Sequence, residues 1–159
     1  MISPAPLNVV LIEPEIPSNT GNIGRTCVGL NAHLHLVGEM GFTLTDRRLK
    51  RAGLDYWPHL TFTHHASVED WKSKVPDPSR VFYFTTKSRN SFYKTNFRGG
   101  DWLVFGKETK GLNPEIWSDC PNQALTIPMT GPIRSLNLAT SVAIVLFEGA
   151  RQAQVDTPN

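Results

Sequence analysis

Short apolar runs, separated by segments with helical spacing, recur along the whole chain. The first run covers residues 7–12, contains Val9 and Val10, and stops at Glu13-Pro14. A short apolar run that ends at a turn signal is typical of a strand buried on both faces of a parallel sheet. Further runs of this kind occupy residues 34–37, 60–63, 81–85, 102–105 and 124–127.

Helical patterns lie between these runs. Residues 45–52 carry Asp46 near their start and are followed by Gly53, which predicts a helix. Ser67, with Asp70 three positions later, is similar to a capping box and predicts a helix that continues to about Lys74. Strands that alternate with helices predict an α/β fold, in which a mainly parallel sheet is flanked by helices and functional loops lie at the carboxyl ends of the strands.

The last helix is the most apolar part of the sequence. From Ser135 the spacing becomes helical, and residues 142–147 are apolar on nearly every side. Such a helix must be covered on more than one face, so the pattern predicts a packed subunit interface. In the preceding loop, Pro128 and Pro132 restrict φ and Gly131 allows positive φ. This combination favours a ligand-binding loop of fixed shape.

Length and charge exclude only a few classes of protein. The 159 residues allow one well-buried core, and we expect a single domain over residues 1–152 with a flexible tail over 153–159. The apolar part of the last helix is about a third of a bilayer span, and the N-terminus lacks a signal-like segment, so we expect a cytoplasmic protein with no membrane partner. A formal net charge of +2 permits contact with nucleic acid without requiring it.

The two cysteines carry no sign of metal or disulfide chemistry. Cys27 lies in a predicted helix and Cys120 precedes Pro121, with no C-x-x-C or Cys/His spacing around either. We expect two buried or half-buried thiols and no metal site.

A polar, glycine-containing segment, residues 13–26, follows the first strand. Gly21 and Gly24 would let backbone amides approach a phosphate at a helix N-terminus, and Arg25, one turn into the helix, could hold an anion through two N–H groups. The glycines do not form G-x-G-x-x-G, which argues against a Rossmann-type oxidoreductase. Spacing alone leaves a phosphate site and a simple strand-to-helix turn equally open.

Two more loops follow predicted strands. Residues 105–112 read F-G-K-E-T-K-G-L, but a P-loop would need Gly at Asp101 and Ser or Thr at Glu108, so a nucleoside triphosphatase is not expected. As an isolated feature this segment is typical of a solvated turn. In the third loop, Ser135 is the expected N-cap of the last helix, and such a cap is compatible with ligand binding.

Basic residues cluster in two places. In residues 86–100 four cations alternate with Phe92, Tyr93 and Phe97, which suits single-stranded RNA but equally suits an exposed loop whose aromatic rings cover the core. Residues 47–51 carry further cations around Leu49, which helical spacing places in the core; they could bind RNA phosphates or form a solvated face.

Three motifs together resemble those of the SPOUT methyltransferases, in the SpoU or TrmH-like branch. They are N-T-G-N-I-G-R-T from Asn19, F-G-K-E-T-K-G-L from Phe105, and I-P-M-T-G-P-I-R-S-L-N-L from Ile127. The likeness covers nearly the whole chain, including L-K-R-A-G-L-D-Y-W from Leu49. One departure is Gly24, where relatives often carry Ile, which implies close packing or local mobility.

The resemblance implies an enzyme that transfers methyl groups from S-adenosylmethionine and releases S-adenosylhomocysteine. The expected reaction is 2′-O-methylation of the tRNA wobble nucleotide, cytidine or uridine, in the anticodon stem-loop, with leucine tRNAs as expected substrates. Alternatives are another tRNA or ribosomal RNA site, or an RNA-binding module without catalysis. The implied fold is an α/β knot with a deep C-terminal trefoil knot, which ordinary topology rules would have excluded. The implied assembly is a homodimer formed through the last helix and the first-motif helix.

The resemblance also assigns site residues by motif position. Arg25 matches the family's catalytic arginine, but a guanidinium keeps its proton in proteins and is a poor base. We therefore expect Arg25 to hold the target phosphate and stabilise the developing alkoxide, oriented by Asn19 and Glu108, while Ser135 helps to hold the loop. The implied cofactor-binding residues are Phe84, Thr85, Gly106, Glu108, Ile127, Met129, Ser135, Leu136 and Asn137. The implied RNA-binding residues are Arg25, Arg47, Arg48, Lys87, Arg89, Lys94 and Arg134.

Overall fold

A parallel sheet forms the centre of the molecule. The computed structural model describes residues 5–45, 47–53 and 55–154, and within them the sheet has six strands in the order β3-β2-β1-β5-β4-β6. All neighbouring strands pair in parallel. The carboxyl ends therefore meet at one edge of the sheet. The strands are β1 (Asn8–Ile12), β2 (His33–Val37), β3 (Phe62–His65), β4 (Val81–Phe84), β5 (Trp102–Phe105) and β6 (Ala124–Leu125).

Helices cover both faces of this sheet. They are α1 (Pro17–Gly29), α2 (Arg47–Gly53), α3 (Val68–Ser73) and α4 (Leu138–Ala153). The predicted capping box at α3 is present in its first half, because the Asp70 backbone N–H donates to the Ser67 hydroxyl over 3.1 Å. The Asp70 carboxylate accepts instead from the backbone N–H of Ala66.

Alternate side chains of the strands form two separate cores. The first, which we call the α1/α4 face, joins Leu11 and Phe105 of the sheet to Ile23 of α1 and Leu146 of α4. The second, the α3 face, joins Val10 and Val104 to Trp71 of α3. This two-sided burial explains why β1, β4 and β5 are nearly continuous apolar runs in the sequence.

The predicted element positions agree best in the middle of the sheet. The strand predicted over 102–105 is found at those residues, whereas the one predicted over 60–63 lies at Phe62–His65. Leu60 ends a 3₁₀ turn at Trp57–His59 and packs against the α1/α4 face, although it is not part of the strand. The edge strand therefore begins after the start of the apolar run. Leu49 is fully buried, as predicted for the helix that carries the basic cluster.

The α3 face contains a row of histidines. His35 is 5% exposed; its Nδ1 lies 2.9 Å from His65 Nε2 and its Nε2 lies 3.0 Å from Asn8 Oδ1. The His33 ring stacks on the His35 ring at 4.1 Å. Burial, and then the neighbouring His33 and His65, lower the pKa of His35 to about 3, so this ring is neutral in the folded protein.

Other predictions have mixed outcomes. Cys27 is buried and Cys120 is half-buried, both as free thiols, as expected. Burial raises the pKa of Cys27 to about 12, which makes it an inert core group. α4 continues to Ala153, one residue into the predicted tail. Asp46 and residues 155–159 lie outside the described residues, so the rest of the tail stays a prediction. The trefoil knot also stays a prediction. Among the described residues no helix is long and apolar enough to cross a membrane.

Candidate active site

A cavity of about 390 Å³ opens at the carboxyl edge of the sheet. Its walls come from the segments that follow β4, β5 and β6, together with the loop before α4 and the first turn of α1. Every position that the resemblance assigned to the cofactor lies in its lining: Phe84, Thr85, Gly106, Glu108, Ile127, Met129, Ser135, Leu136 and Asn137. Three loops far apart in sequence therefore form one site, and the strand-end location is the predicted one.

Gly106 forms the tightest part of the cavity wall. A Cβ atom at this position would lie 2.1 Å from the carbonyl carbon of Gly111 and 2.2 Å from the backbone nitrogen of Leu112. The end of β5 is thus crossed directly by the backbone of the same loop, which an antiparallel bridge between Lys107 and Gly111 closes. Only glycine allows this crossing, because any side chain would displace backbone rather than a flexible neighbour.

The second loop is bonded to the start of α1 in both directions. The Glu108 carboxylate accepts from the backbone N–H of Glu15, over 2.9 Å, and from that of Ile16. In return, Glu15 Oε1 accepts from the Thr109 hydroxyl over 2.7 Å and from its backbone N–H over 3.0 Å. The Thr109 hydroxyl, followed by its N–H, holds the pKa of Glu15 below the ordinary value. Glu108 therefore fixes the first helix against the cavity.

α1 begins much earlier than the sequence suggested. The segment 13–26 was expected to be mostly loop, but the helix starts at Pro17, and Gly21 and Gly24 are buried in its interior. Proline suits the first helical turn because its missing N–H would have no partner there. No side chain of α1 caps this end. Because both glycines lie inside the helix, the expected phosphate-binding amides at these two positions are engaged in the helix instead.

Asn137 connects the third loop to α1. Its Oδ1 accepts from the backbone N–H of Ala139 (2.9 Å) and of Thr140 (3.3 Å), and its Nδ2 donates to Asn19 Oδ1 over 3.1 Å. Asn137, not Ser135, is thus the N-cap of α4, and the helix starts at Leu138. The expectation for Ser135 was wrong because helical spacing begins before the backbone turns, which leaves Ser135 exposed in the cavity lining.

Arg25 lies outside the cavity lining. It follows Asn19 by six positions, which places it about 9 Å further along the helix and about 120° around its axis. Its guanidinium carbon lies 5.0 Å from the centre of the Tyr56 ring. The expected orientation of Arg25 by Asn19 and Glu108 is not found, because Asn19 bonds to Asn137 and Glu108 bonds to the start of α1.

The predicted RNA-binding residues fall into separate groups. Lys87 and Arg134 are exposed and line the cavity. Arg47 and Arg48 are exposed on α2, which packs against α1. The exposed residues Arg89 and Lys94 lie on the loop after β4, outside the cavity lining.

The aromatic residues of the loop after β4 do not form one stacking surface. Phe92 and Phe97 are 1% and 4% exposed and belong to the core, whereas Tyr93 is 66% exposed. Of the three rings predicted either to stack on bases or to cover the core, two cover the core. Tyr93 alone presents an open ring to solvent.

Sequence reasoning missed several participants. Glu15 and Thr109 were named only as parts of loops, and Tyr56 only as part of a motif. Glu15 contacts Glu108 through its backbone N–H, Thr109 contacts Glu15, and Tyr56 contacts Arg25. Ser141 lies in the cavity lining, one helical turn after Asn137. A signal existed for Tyr56, since L-K-R-A-G-L-D-Y-W matched the family without any role being assigned to it.

The site combines an apolar wall with a cationic mouth. Phe84, Phe105 and Ile127 supply the wall, and Lys87 and Arg134 supply positive charge. This volume and lining suit a cofactor-sized ligand with an apolar ring system, beside which an anionic polymer could lie. Within the described residues no group of His, Cys, Asp or Glu side chains is arranged to hold a metal ion.

Comparison with known proteins gives consistent results. Residues 6–147 match the model of the SpoU rRNA Methylase family. A tRNA (cytidine(34)-2′-O)-methyltransferase of Burkholderia cenocepacia is 48% identical over 151 residues, which cover 92% of this chain and 95% of that protein.

Solved structures give the same picture. One from work on the 2-OH methylation of C/U34 on tRNA is similar with a TM-score of 0.89 and 45% identity, and covers 94% of this chain and 97% of that one. An AdoMet-bound rRNA methyltransferase from Sinorhizobium meliloti shares the fold, with a TM-score of 0.82 at 24% identity. That alignment covers 94% of this chain and 58% of the other.

Proposed function

This chain belongs to the SpoU methylase family, and on that premise we propose that it methylates the 2′-hydroxyl of the tRNA wobble nucleotide, cytidine or uridine 34. One observation carries the proposal: the positions expected to bind the cofactor line a single cavity at the carboxyl edge of the sheet. The names of the relatives support the wobble position and the tRNA. Leucine tRNAs, bound through the anticodon stem-loop, are the substrates we expect.

The cavity fits S-adenosylmethionine in size and chemistry. Its volume of about 390 Å³ is in the range of small-molecule sites. Phe84, Ile127 and Leu136 supply apolar side chains that suit its ring system, and the backbone around Gly106 and Met129 offers hydrogen-bonding groups. When bound, this cofactor supplies an activated methyl group on a sulfonium, and no metal is needed for the transfer.

The residues around the cavity would position the reacting groups. Glu108 and Asn137 hold α1 and α4 against the cavity, and so fix its shape before any ligand arrives. Lys87 and Arg134 would receive phosphates of the RNA at the mouth. Arg25 would hold the target phosphate and stabilise the alkoxide that develops as the ribose hydroxyl loses its proton.

We further propose a homodimer that brings Arg25 to the cavity of the second subunit. Two observations support this arrangement: Arg25 is exposed on α1 and outside the lining of its own cavity, and α4 exposes Ile144 (38%) and Phe147 (58%) beside α1. Burial of these apolar side chains would favour association. A tRNA-modifying homodimer of this kind would act in the cytoplasm, where mature tRNA is used.

The dimer can be tested by mixing two inactive variants. Arg25→Ala keeps the cavity, and Asn137→Ala damages the cavity but keeps Arg25. If Arg25 acts across the dimer, co-expressed and doubly tagged mixed dimers recover up to about half of the wild-type rate, because one of two sites is intact. If each Arg25 serves its own cavity, the mixed dimers stay inactive like the two parent dimers.

The reaction itself is tested by supplying labelled S-adenosylmethionine and total tRNA. We expect label in tRNA, resistance of one ribose to alkaline cleavage, and mapping of that ribose to position 34. Label at another tRNA position or in ribosomal RNA would contradict the assigned substrate, and cofactor binding without any transfer would favour a non-catalytic RNA-binding module.

A further inference from the structure

Tyr56 contacts the side chain on which the proposed chemistry depends. Its ring lies under the guanidinium of Arg25, with 5.0 Å between the ring centre and the guanidinium carbon. No hydrogen bond or ion pair of Arg25 is found among residues 5–45, 47–53 and 55–154, so this ring is what holds its head group. A face-on aromatic contact leaves the N–H groups in the guanidinium plane free to bind oxygen atoms.

Gly24 explains how the ring reaches this place. A Cβ atom at Gly24 would lie 3.2 Å from Leu60 Cδ2 and 3.7 Å from Trp57 Cζ3. The segment around the Trp57–His59 turn therefore packs closely on α1 one residue before Arg25. The Trp57 ring also packs on Phe62, at 5.6 Å between ring centres. Of the two explanations for Gly24, close packing is the one that the structure supports.

The hydroxyl group of Tyr56 takes no part in this contact. It is buried and has no hydrogen-bond partner in the described part of the chain. A buried hydroxyl without a partner does not stabilise the fold, so its removal is not expected to cost function. The aromatic face, not the polar group, is therefore the feature that matters.

We propose that Tyr56 is a positioning residue for Arg25, which fixes the plane of the guanidinium so that its donors face the RNA. The close fit of Trp57 and Leu60 on Gly24 places Tyr56 for this role. The inference rests on the proposed function, because Arg25 acts on the RNA there. It assigns a role to the L-K-R-A-G-L-D-Y-W motif, which the cavity leaves unexplained.

The test compares Tyr56→Phe with Tyr56→Leu in the full-length protein, with an anticodon stem-loop RNA as substrate. We expect Tyr56→Phe to stay within about twofold of wild type in kcat and in RNA affinity. Tyr56→Leu should lose about tenfold in kcat and weaken RNA binding, while its S-adenosylmethionine affinity stays unchanged. If Tyr56→Leu does not fold, as judged by loss of cofactor binding, Tyr56→Met provides the same comparison.

A double-mutant cycle separates positioning from general stability. In the Arg25→Ala background, Tyr56→Leu should weaken RNA binding no further, because the ring has no guanidinium to hold. An equal loss in both backgrounds, or an equal loss in Tyr56→Phe and Tyr56→Leu, overturns the inference. Wild-type protein that methylates no RNA would instead contradict the proposed function, so the two failures are distinct.

Discussion

The two faces of the sheet are built differently, and the difference separates function from stability. On the α1/α4 face, a large apolar cluster holds the two helices whose starts meet at Asn19 and Asn137 beside the cavity. On the α3 face, His35 and its neighbours form a buried polar row. None of the predicted site residues belongs to the α3-face core. Polar groups inside this protein therefore do not by themselves mark the active site.

What marks the site is contact between distant loops at the strand ends. The bonds from Glu108 to the start of α1 and from Asn137 to Asn19 each join segments about one hundred residues apart. The histidine row, by contrast, joins β2 to β3, which are neighbours in the sheet. Substitutions at the cavity should therefore affect ligand binding, whereas substitutions in the histidine row should affect only folding.

The largest effect is expected from Gly106→Ala. The added methyl group would meet the backbone of Gly111 and Leu112, which must move, so S-adenosylmethionine binding should be lost and the free energy of unfolding should fall by about 3 kcal/mol. Calorimetry and urea denaturation measure the two effects. Gly131→Ala is the matched control, since no atom lies within 4 Å of its Cβ position. Wild-type cofactor affinity in Gly106→Ala would show that the crossing is not needed.

Arg25→Lys should have the second-largest effect, but on the rate of methyl transfer and not on cofactor binding or stability. We expect kcat to fall about 100-fold, because an ammonium cannot reproduce the planar pair of donors, while cofactor affinity and the free energy of unfolding stay unchanged. Single-turnover methylation and cofactor titration measure these quantities. If kcat survives and only the KM for RNA rises, Arg25 does not stabilise the transition state.

Glu108→Gln should have an intermediate effect. An amide keeps one acceptor oxygen but places an NH₂ group against the second backbone N–H, so the start of α1 loses a charged partner. We expect a loss of about 2 kcal/mol in the free energy of unfolding and weaker cofactor binding. Glu115→Gln, at an exposed glutamate, is the control. Equal stability and cofactor affinity in the two variants would show that the Glu108 carboxylate does not hold α1 against the cavity.

The smallest effect on cofactor binding is expected from acid, which tests the α3 face. His35 stays neutral in the fold down to a pKa of about 3, whereas in the unfolded chain a histidine gains a proton near pH 6.5. Between these values the unfolded state binds more protons, so the free energy of unfolding should fall with acid by up to about 1.4 kcal/mol per pH unit for this residue. Burial also lowers the pKa of His33 and His65, which adds to the slope.

Urea denaturation at several pH values between 7.5 and 5 measures that slope. His35→Gln should flatten it, whereas His59→Gln, at an exposed histidine, should not. Cofactor affinity of the folded protein should not change over the same range, because no histidine lies in the described cavity lining. A pH dependence that is unchanged in His35→Gln would contradict this assignment.

The sequence predicted the sheet well because its signals are local. Residues 102–105 are apolar at every position and were found as β5 without change. The start of α1 was missed because Ser18, Asn19 and Thr20 are polar and look like loop residues. Asn19 is nevertheless only 7% exposed and is bonded to Asn137. Because Asn137 lies 118 positions away, no local sequence pattern predicts this contact.

The site, too, was predicted only where the signal is local. Motif positions identified the lining residues, because each motif ends a strand or begins a helix at the same edge. The surroundings of Arg25 could not be predicted, because the ring of Tyr56 reaches it from a different segment through a close fit at Gly24. Resemblance supplied which residues matter, and the geometry supplied what each of them contacts.

One pair of substrates tests the central claim most directly. Two synthetic anticodon stem-loops of a leucine tRNA, identical except that one has a ribose and the other a 2′-deoxyribose at position 34, are incubated with the protein and labelled S-adenosylmethionine. Our account predicts one methyl group per molecule on the ribose form, on the 2′-oxygen of nucleotide 34, and none on the deoxy form. Equal labelling of both forms, or of neither, would contradict it.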